Sequence, residues 1–318
     1  MKGLLQHKPA GNQLLVLISI ALLGVFFIGS LAGTLVLTAI TGIRPEELMD
    51  FSKLDFNKPG VITYLRGLQV FQFFGLFLIP SLLCAWLFSR NSREYLGLRP
   101  PHIPSYWIIG ILVIILAIPF VQWLGELNRG IRFPGGMESW MKQKEAAANS
   151  TVMGFLSRRT PADLVLNLVC IALLAAVGEE LLFRGVAQRL LIRLFKNPLA
   201  GILVSAFLFS AFHMQFYGFL PRFVLGILLG MTYWYSGSLW TAMAAHFVYD
   251  ALLITAAYIN PALLNEENMV EMSSIALSAA FSFILVALSV NWMIRHSCTR
   301  YQDIYTTDEN PAEDRISG

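Results

Sequence analysis

The sequence predicts an all-α fold, a polytopic bundle of about eight transmembrane helices. Of the 318 residues, 56% are hydrophobic and only 14% are charged, which leaves too few polar groups to cover a water-soluble globule. The apolar residues form separate runs, and several runs reach the roughly 20 residues that a helix needs to cross a hydrocarbon layer of about 30 Å. The lipid bilayer is therefore the expected solvent and partner.

The apolar runs follow one another along the chain. The first run, about residues 14–40, follows Lys2 and Lys8 and is too long for the apolar region of a cleaved signal peptide, so we interpret it as a signal anchor. Residues 142–148 suggest a short surface helix between two later runs. The further apolar runs are centred near Phe74, Ile114, Ala172, Phe207, Ile227, Ala251 and Ile284.

The basic residues predict the orientation and exclude one class of partner. Lys and Arg cluster before the first run, after the second (Arg90 and Arg93) and after the fourth (Arg193 and Lys196), so these ends are expected in the cytoplasm, together with both termini. The acidic stretch 266–271 and the segment 125–161 then fall outside. The net charge of +3 is dispersed and cannot follow a phosphate backbone, which argues against nucleic acid.

A pair of adjacent acids lies inside the fourth apolar run. Glu179 and Glu180 are costly at bilayer depth unless they are paired or face a cavity. Arg184 follows Glu180 at the i, i+4 spacing that allows an ion pair. Two neighbouring carboxyl groups tend to share a proton, which suits a general base or acid. The alternative is a buried Glu180–Arg184 pair that only fixes helix packing, and it leaves Glu179 unexplained.

Two histidines stand out in the same half of the chain. His213 lies near the end of the fifth run and His246 lies inside the seventh, and the other histidines of the chain fall outside this half. Asp250 follows His246 at i+4, where its carboxylate can orient the imidazole or bind a water with it. Either histidine alone would be read as packing, but two near an acid pair indicate a polar site.

Helix geometry allows these residues to meet. If the fourth and fifth runs turn near Asn197 and Pro198, Glu180 and His213 each lie about 25 Å along their helices, at about 1.5 Å per residue. If the sixth and seventh runs turn near Ser236 and Gly237, His246 lies about 13 Å from that turn. Glu180, His213 and His246 lie at the same depth when the hairpin of the fourth and fifth runs extends about 10 Å farther into the cytoplasm than the hairpin of the sixth and seventh runs.

Three motifs run in order through these helices. Together they resemble the motifs of the CPBP family of intramembrane proteases, which includes the type II CAAX prenyl endopeptidases of eukaryotes and the bacterial Abi (bacteriocin-immunity) proteins. The resemblance covers only about residues 178–250. The family pattern EExxxR corresponds to Glu179, Glu180 and Arg184, the pattern FxxxH to Phe209 and His213, and the pattern HxxxN/D to His246 and Asp250, with Asp in place of the commoner Asn.

The resemblance implies an eight-helix bundle with a polar cavity open toward the cytosol, where a glutamate and a histidine activate water to attack a peptide carbonyl. By motif position Glu179 is the slightly favoured base, supported by Glu180 and Arg184. His213 would position the water. His246 and Asp250 would stabilise the oxyanion or bind water. The expected substrate is a hydrophobic peptide or a membrane-anchored protein.

The family also leaves a metal open. His213, His246 and Glu179 could hold a catalytic zinc ion with an open fourth position, but no HExxH spacing is present. We therefore expect no cofactor, with zinc as the alternative. A carboxylate base working without a metal needs apolar surroundings that help it take a proton near neutral pH, and burial of the acid pair would provide them.

Two other function classes remain open from the sequence. The same polar residues could relay protons or bind a cation in a transporter, although no inverted repeat is visible. The chain could also be a non-catalytic immunity or scaffold protein. The preferred domain organisation is an N-terminal transmembrane scaffold with an extracytoplasmic loop at 1–160, a catalytic core at 161–260, a last transmembrane helix at 261–305 and a disordered tail at 306–318. The expected location is the bacterial inner (plasma) membrane.

Overall fold

The computed structural model describes residues 2–48, 55–261, 272–297 and 299–301. Within these ranges the chain is helical and contains no strand, so the predicted all-α class is confirmed. The predicted tail at 306–318 and the acidic stretch 266–271 lie outside the described residues. The long helices are α1 (Ala10–Thr41), α2 (Val61–Phe88), α3 (Ser105–Arg129), α4 (Gly136–Leu156), α5 (Pro161–Phe195), α6 (Pro198–Phe212), α7 (Phe219–Ser236), α8 (Leu239–Ile259) and α9 (Met272–Arg295).

Seven of the helices in the described part of the chain are long and apolar enough to cross a membrane. The prediction of about eight spans is close, and the difference lies in α6, which has 15 residues. At about 1.5 Å per residue α6 is about 22 Å long, which is less than the hydrocarbon thickness of about 30 Å. His213 and the loop after it therefore lie at bilayer depth, where irregular backbone is tolerated only inside protein or beside a cavity.

The two helical hairpins turn where the sequence predicts. Between α5 and α6, Lys196 adopts a left-handed conformation at φ 52°, and the side chain of Asn197 accepts a hydrogen bond from the amide of Ala200. Between α7 and α8, Gly237 is left-handed at φ 65°. Both turns are short, so α5 packs beside α6 and α7 packs beside α8. The residues that the motifs single out are thereby brought to neighbouring helices.

In the described part of the chain, four stretches of wide π-helical turns interrupt three of the long helices. They cover Val25–Ala32 in α1, Phe73–Leu78 in α2, and Leu168–Leu173 and Leu181–Gln188 in α5. The last of these begins directly after Glu180 and contains Arg184. Such turns are rare in ordinary helices and are frequent at functional sites.

The α4 helix is longer than the sequence suggests. The predicted short helix at 142–148 is part of a 21-residue helix. Its Trp140 ring lies 5.3 Å from the Phe216 ring in the loop after α6, and the carbonyl of Phe155 accepts a hydrogen bond from Asn167 of α5. The α4 helix therefore packs across the end of the bundle next to His213.

Candidate active site

The Glu180–Arg184 ion pair predicted from the i, i+4 spacing is present and buried. Arg184 Nη1 donates to Glu180 Oε1 at 2.7 Å, and both side chains are at most 1% exposed. Arg184 Nη2 donates to the carbonyl of Gly226 in α7 at 3.1 Å, and the guanidinium lies 4.4 Å from the centroid of the Phe209 ring. Arg184 thus ties α5 to α6 and α7, because its charge is matched by a carboxylate, a carbonyl and an aromatic face.

Glu180 also holds His246, so the pair does more than fix packing. The same Oε1 atom lies 2.9 Å from Nδ1 of His246. Because a carboxylate oxygen accepts, Nδ1 donates this hydrogen bond and the orientation of the ring is set. Nε2 of His246 then faces Asp250 Oδ2 at 3.4 Å and Glu179 Oε2 at 3.9 Å.

Glu179 lies between the two imidazoles. Its Oε1 is 3.9 Å from Nε2 of His213, and its Oε2 is 3.9 Å from Nε2 of His246. These separations exceed hydrogen-bond length. The side chain of Glu179 is 13% exposed and that of His213 is 26% exposed, whereas Glu180 is fully buried. Glu179 is therefore the acid of the pair that faces the open side of the site.

His213 is oriented by the helix that it ends. Its Nδ1 lies 2.9 Å from the carbonyl of Phe209, and since a carbonyl only accepts, Nδ1 carries a proton. Nε2 faces Glu179, and in the neutral ring this nitrogen has the free lone pair. The Phe209 ring also packs against both imidazoles. The phenylalanine of the FxxxH motif thus contacts Arg184, His213 and His246.

The residues that the sequence proposes as zinc ligands do not converge as a metal site. Among the described residues no group of three or more His, Cys, Asp and Glu side chains could hold a metal ion. The 3.9 Å separations from Glu179 to the two imidazoles exceed the roughly 3.3 Å that ligands at about 2.0–2.1 Å from a tetrahedral zinc ion would have.

The loop after α6 is held by residues that no motif reveals. Asn128 at the end of α3 donates from Nδ2 to the carbonyl of Phe216 at 2.7 Å and accepts from the amide of Leu220 at 2.8 Å. Ser210 Oγ donates to the carbonyl of Phe219 at 2.7 Å. The loop backbone at bilayer depth is thereby satisfied by side chains. A polar residue near the end of an apolar helix was the only available signal.

Arg222 is a further residue near the site that the sequence analysis did not single out. It lies one turn into α7 and is close enough to Glu179, Tyr249 and Glu145 to interact electrostatically with them. Glu145 belongs to α4, so this helix brings a carboxylate toward the site. The signal in the sequence was an arginine within an otherwise apolar helix.

Comparison with known proteins identifies similarity in the region of the chain that contains the candidate site. Residues 161–252 match the family model of the Rce1-like type II CAAX prenyl endopeptidases, and this segment contains all six candidate site residues. A 90-residue segment is 31% identical to the uncharacterized protein YpbD of Bacillus subtilis (strain 168); it covers 27% of this chain and 43% of YpbD, less than half of that protein. No solved structure matches the chain. The resemblance inferred from the motifs is confirmed for this segment, and the match supports a membrane protease.

Proposed function

We propose that this chain, whose residues 161–252 match the Rce1-like type II CAAX prenyl endopeptidases, is an intramembrane endopeptidase that works without a metal. One observation carries the proposal: the oxygens of Glu179 face Nε2 of both His213 and His246, whereas Glu180 is occupied by Arg184 and His246. A carboxylate flanked by two imidazoles can hold and deprotonate a water molecule.

Glu179 is the base in this proposal, because Glu180 cannot serve as one without losing its partners. Arg184 and His246 both bind Oε1 of Glu180, and its Oε2 is buried without a hydrogen-bond partner. A proton taken on either oxygen would remove the negative charge that matches Arg184 and leave that buried charge uncompensated. Glu179 has no such constraint and lies at the open side. Glu180 and Arg184 therefore act by positioning His246.

The histidines would take different roles. Nε2 of His213 can accept a hydrogen bond from the attacking water, because its Nδ1 proton is engaged by Phe209. Both ring nitrogens of His246 face carboxylate oxygens, an arrangement that the doubly protonated ring satisfies. Its Nε2–H, supported by Asp250, can donate to the oxygen that becomes negative in the transition state.

The reaction balances with these groups alone. Glu179 takes a proton from water as the water oxygen bonds to the scissile carbonyl carbon, and His246 stabilises the oxyanion. The carbon–nitrogen bond then breaks, and Glu179 returns its proton to the leaving amine. Base and acid are the same carboxyl group in successive steps.

The substrate class follows from the surroundings of the site. Because the site lies among helices that are long and apolar enough to cross a membrane, the proposed substrate is a hydrophobic peptide or a membrane-anchored protein, and no nucleic-acid partner is expected. The matched family is named for prenylated CAAX proteins, and peptides of that kind are the natural first panel.

Cleavage of such a panel by the purified protein in liposomes tests the proposal. Glu179→Gln should lower kcat by about 10³-fold, within the usual range for loss of a general base, with an unchanged melting temperature. His213→Ala and His246→Ala should also lose activity, and a zinc chelator should not reduce the wild-type rate. Wild-type cleavage by Glu179→Gln would overturn the proposal, and chelator sensitivity would replace the metal-free mechanism with a zinc one.

We also propose that the protein lies in the plasma membrane with both termini in the cytoplasm, as the basic residues near its inner ends favour. In this orientation α4 lies outside the cell, yet it contacts the loop beside His213 through Trp140 and Phe216. The site then opens toward the extracytoplasmic side, which departs from the cytosolic opening that the family resemblance implies.

Cysteine labelling in intact cells decides between the two orientations. In a Cys298→Ser background, where Cys84 and Cys170 are buried, Met137→Cys on α4 should react with a membrane-impermeant maleimide. Arg90→Cys at the opposite end should react only after the membrane is permeabilised. The reverse pattern would contradict the orientation.

A further inference from the structure

Hydrogen bonds hold the guanidinium of Arg222 in a fixed position beside the candidate active site. Its Nη1 donates to the carbonyl of Gln215 at 3.1 Å, and its Nη2 donates to Gln215 Oε1 at 2.7 Å. Two bonds to one neutral residue fix the guanidinium in position. They do not neutralise its charge.

The loop after α6 leaves room for this arginine at Gly218, which has no side chain. A Cβ atom added at Gly218 would lie 2.5 Å from Nη2 of Arg222. The loop that carries Gly218 is itself clamped by Asn128, which bonds the backbone of Phe216 and Leu220. The position of the guanidinium is therefore set by several parts of the fold.

Arg222 lies beside the loop that follows His213, because Gln215, which accepts its hydrogen bonds, is two residues after His213. It interacts electrostatically with Glu179, with Tyr249 one residue before Asp250, and with His213. Glu145 of α4 is a further carboxylate that acts on its charge. Gln215 accepts hydrogen bonds from two of the five N–H groups of the guanidinium, and a planar fork of such donors fits a carboxylate with two hydrogen bonds.

We propose that Arg222 is a specificity residue that binds a carboxylate of the substrate close to the scissile peptide bond, on the side of the site covered by α4. The inference rests on the proposed peptidase function. A guanidinium held in this position can bind either of two substrate carboxylates. One is the C-terminus of a peptide that is cut near its end, and the other is an acidic side chain near the cut.

Matched peptides separate this role from a structural one. The probes are an internally quenched prenylated CAAX peptide with a free C-terminal carboxylate, its C-terminal amide, and a version of each with a glutamate beside the scissile bond. Arg222→Gln should raise KM for carboxylate-bearing peptides about 10- to 100-fold while kcat changes little, and it should leave the glutamate-free amide unaffected. Arg222→Lys should fall between, since lysine keeps the charge and loses the fork.

Two further variants protect the test against misfolding. Gly218→Ala displaces the guanidinium without removing its charge and should reproduce the same selective rise in KM. Arg132→Gln, which changes an arginine that is largely exposed on the same side, should have no effect. An equal loss on acid and amide peptides, or no loss on either, would overturn the role of Arg222. Failure of the wild type to cut any peptide would overturn the proposed function itself, and this inference with it.

Discussion

The α1–α2 pair and the α5–α8 core hold their helices together by different means. Where α1 crosses α2, a Cβ atom on Gly24 would lie 1.9 Å from the carbonyl oxygen of Gly75, so the two backbones touch. In the core, α5, α6 and α7 are joined by Arg184, a buried charge that needs Glu180 and the Gly226 carbonyl. Small residues that let backbones approach are a common means of packing in membranes, where lipid tails offer no hydrophobic drive.

The difference teaches where the chain tolerates change. In the α1–α2 pair a single added Cβ atom at the glycine contact breaks the contact, but no charged group is left without a partner when it breaks. In the core each polar group depends on another, so removing one partner leaves an unmatched charge in an apolar interior. Arg66 of α2 links the regions, since it donates to Asp163 and Asn167 of α5.

The largest expected effect on stability distinguishes Glu180 from its neighbour Glu179. Glu180→Ala should lower the free energy of unfolding by about 3–5 kcal/mol, because Arg184 is left buried without its carboxylate. Glu179→Ala should abolish cleavage with little change in stability. Thermal unfolding in detergent, read beside the cleavage assay, measures both. Equal stability of the two variants would contradict the division of roles.

The glycine contact should show the opposite pattern. Gly24→Ala should cost about 3 kcal/mol of stability, since its Cβ meets backbone that cannot rotate away, while the kcat of the folded protein stays unchanged. Gly29→Ala is the matched control, because a Cβ there meets nothing within 4 Å. Loss of stability in both variants would contradict the role of the contact, because Ala is the better helix former and a Cβ at Gly29 meets no neighbour.

The link between the regions should have an intermediate effect. Arg66→Gln should destabilise the protein by about 2 kcal/mol, because Asp163 and Asn167 lose charge-assisted donors in a nearly buried setting. Limited proteolysis after residue 156 should become faster, since Asn167 also holds the end of α4 through the Phe155 carbonyl. Arg158→Gln, an exposed neighbour, serves as the control.

The smallest effect is expected on the exposed face of α4. Lys142 Nζ lies 2.7 Å from Glu138, and its ammonium keeps the pKa of that carboxylate below its usual range. The attraction is therefore present at neutral pH and is lost as pH falls through the lowered pKa. Lys142→Gln should leave the melting temperature and cleavage unchanged, because ion pairs on a protein surface contribute little. A clear loss of activity would show that α4 bears on the site through this face.

The sequence was sufficient for the class of fold and for the set of residues that meet. Hydropathy located the apolar helices, and the i, i+4 spacings anticipated the contacts of Arg184 with Glu180 and of Asp250 with His246. Such contacts are local, so helix geometry alone predicts them.

Contacts between helices were harder to predict. Which acid faces the open side depends on the side-chain orientation of Glu179 and Glu180 against three other helices, and spacing along α5 does not determine it. Asn128 and Arg222 act on a loop about 90 residues away or through a turn, where no period marks them. The shortness of α6 was hidden because its apolar run reads like any other span.

The length of α6 also affects the lipid around it. Its outward face carries exposed apolar side chains, including Leu199, Leu203 and Phe207, over only 15 residues. This surface is about 8 Å shorter than the hydrocarbon core that it borders. Hydrophobic mismatch of this kind draws headgroups inward and thins the bilayer locally. The path from the headgroups to Glu179 is therefore shorter along this flank than along a helix that spans the whole hydrocarbon layer.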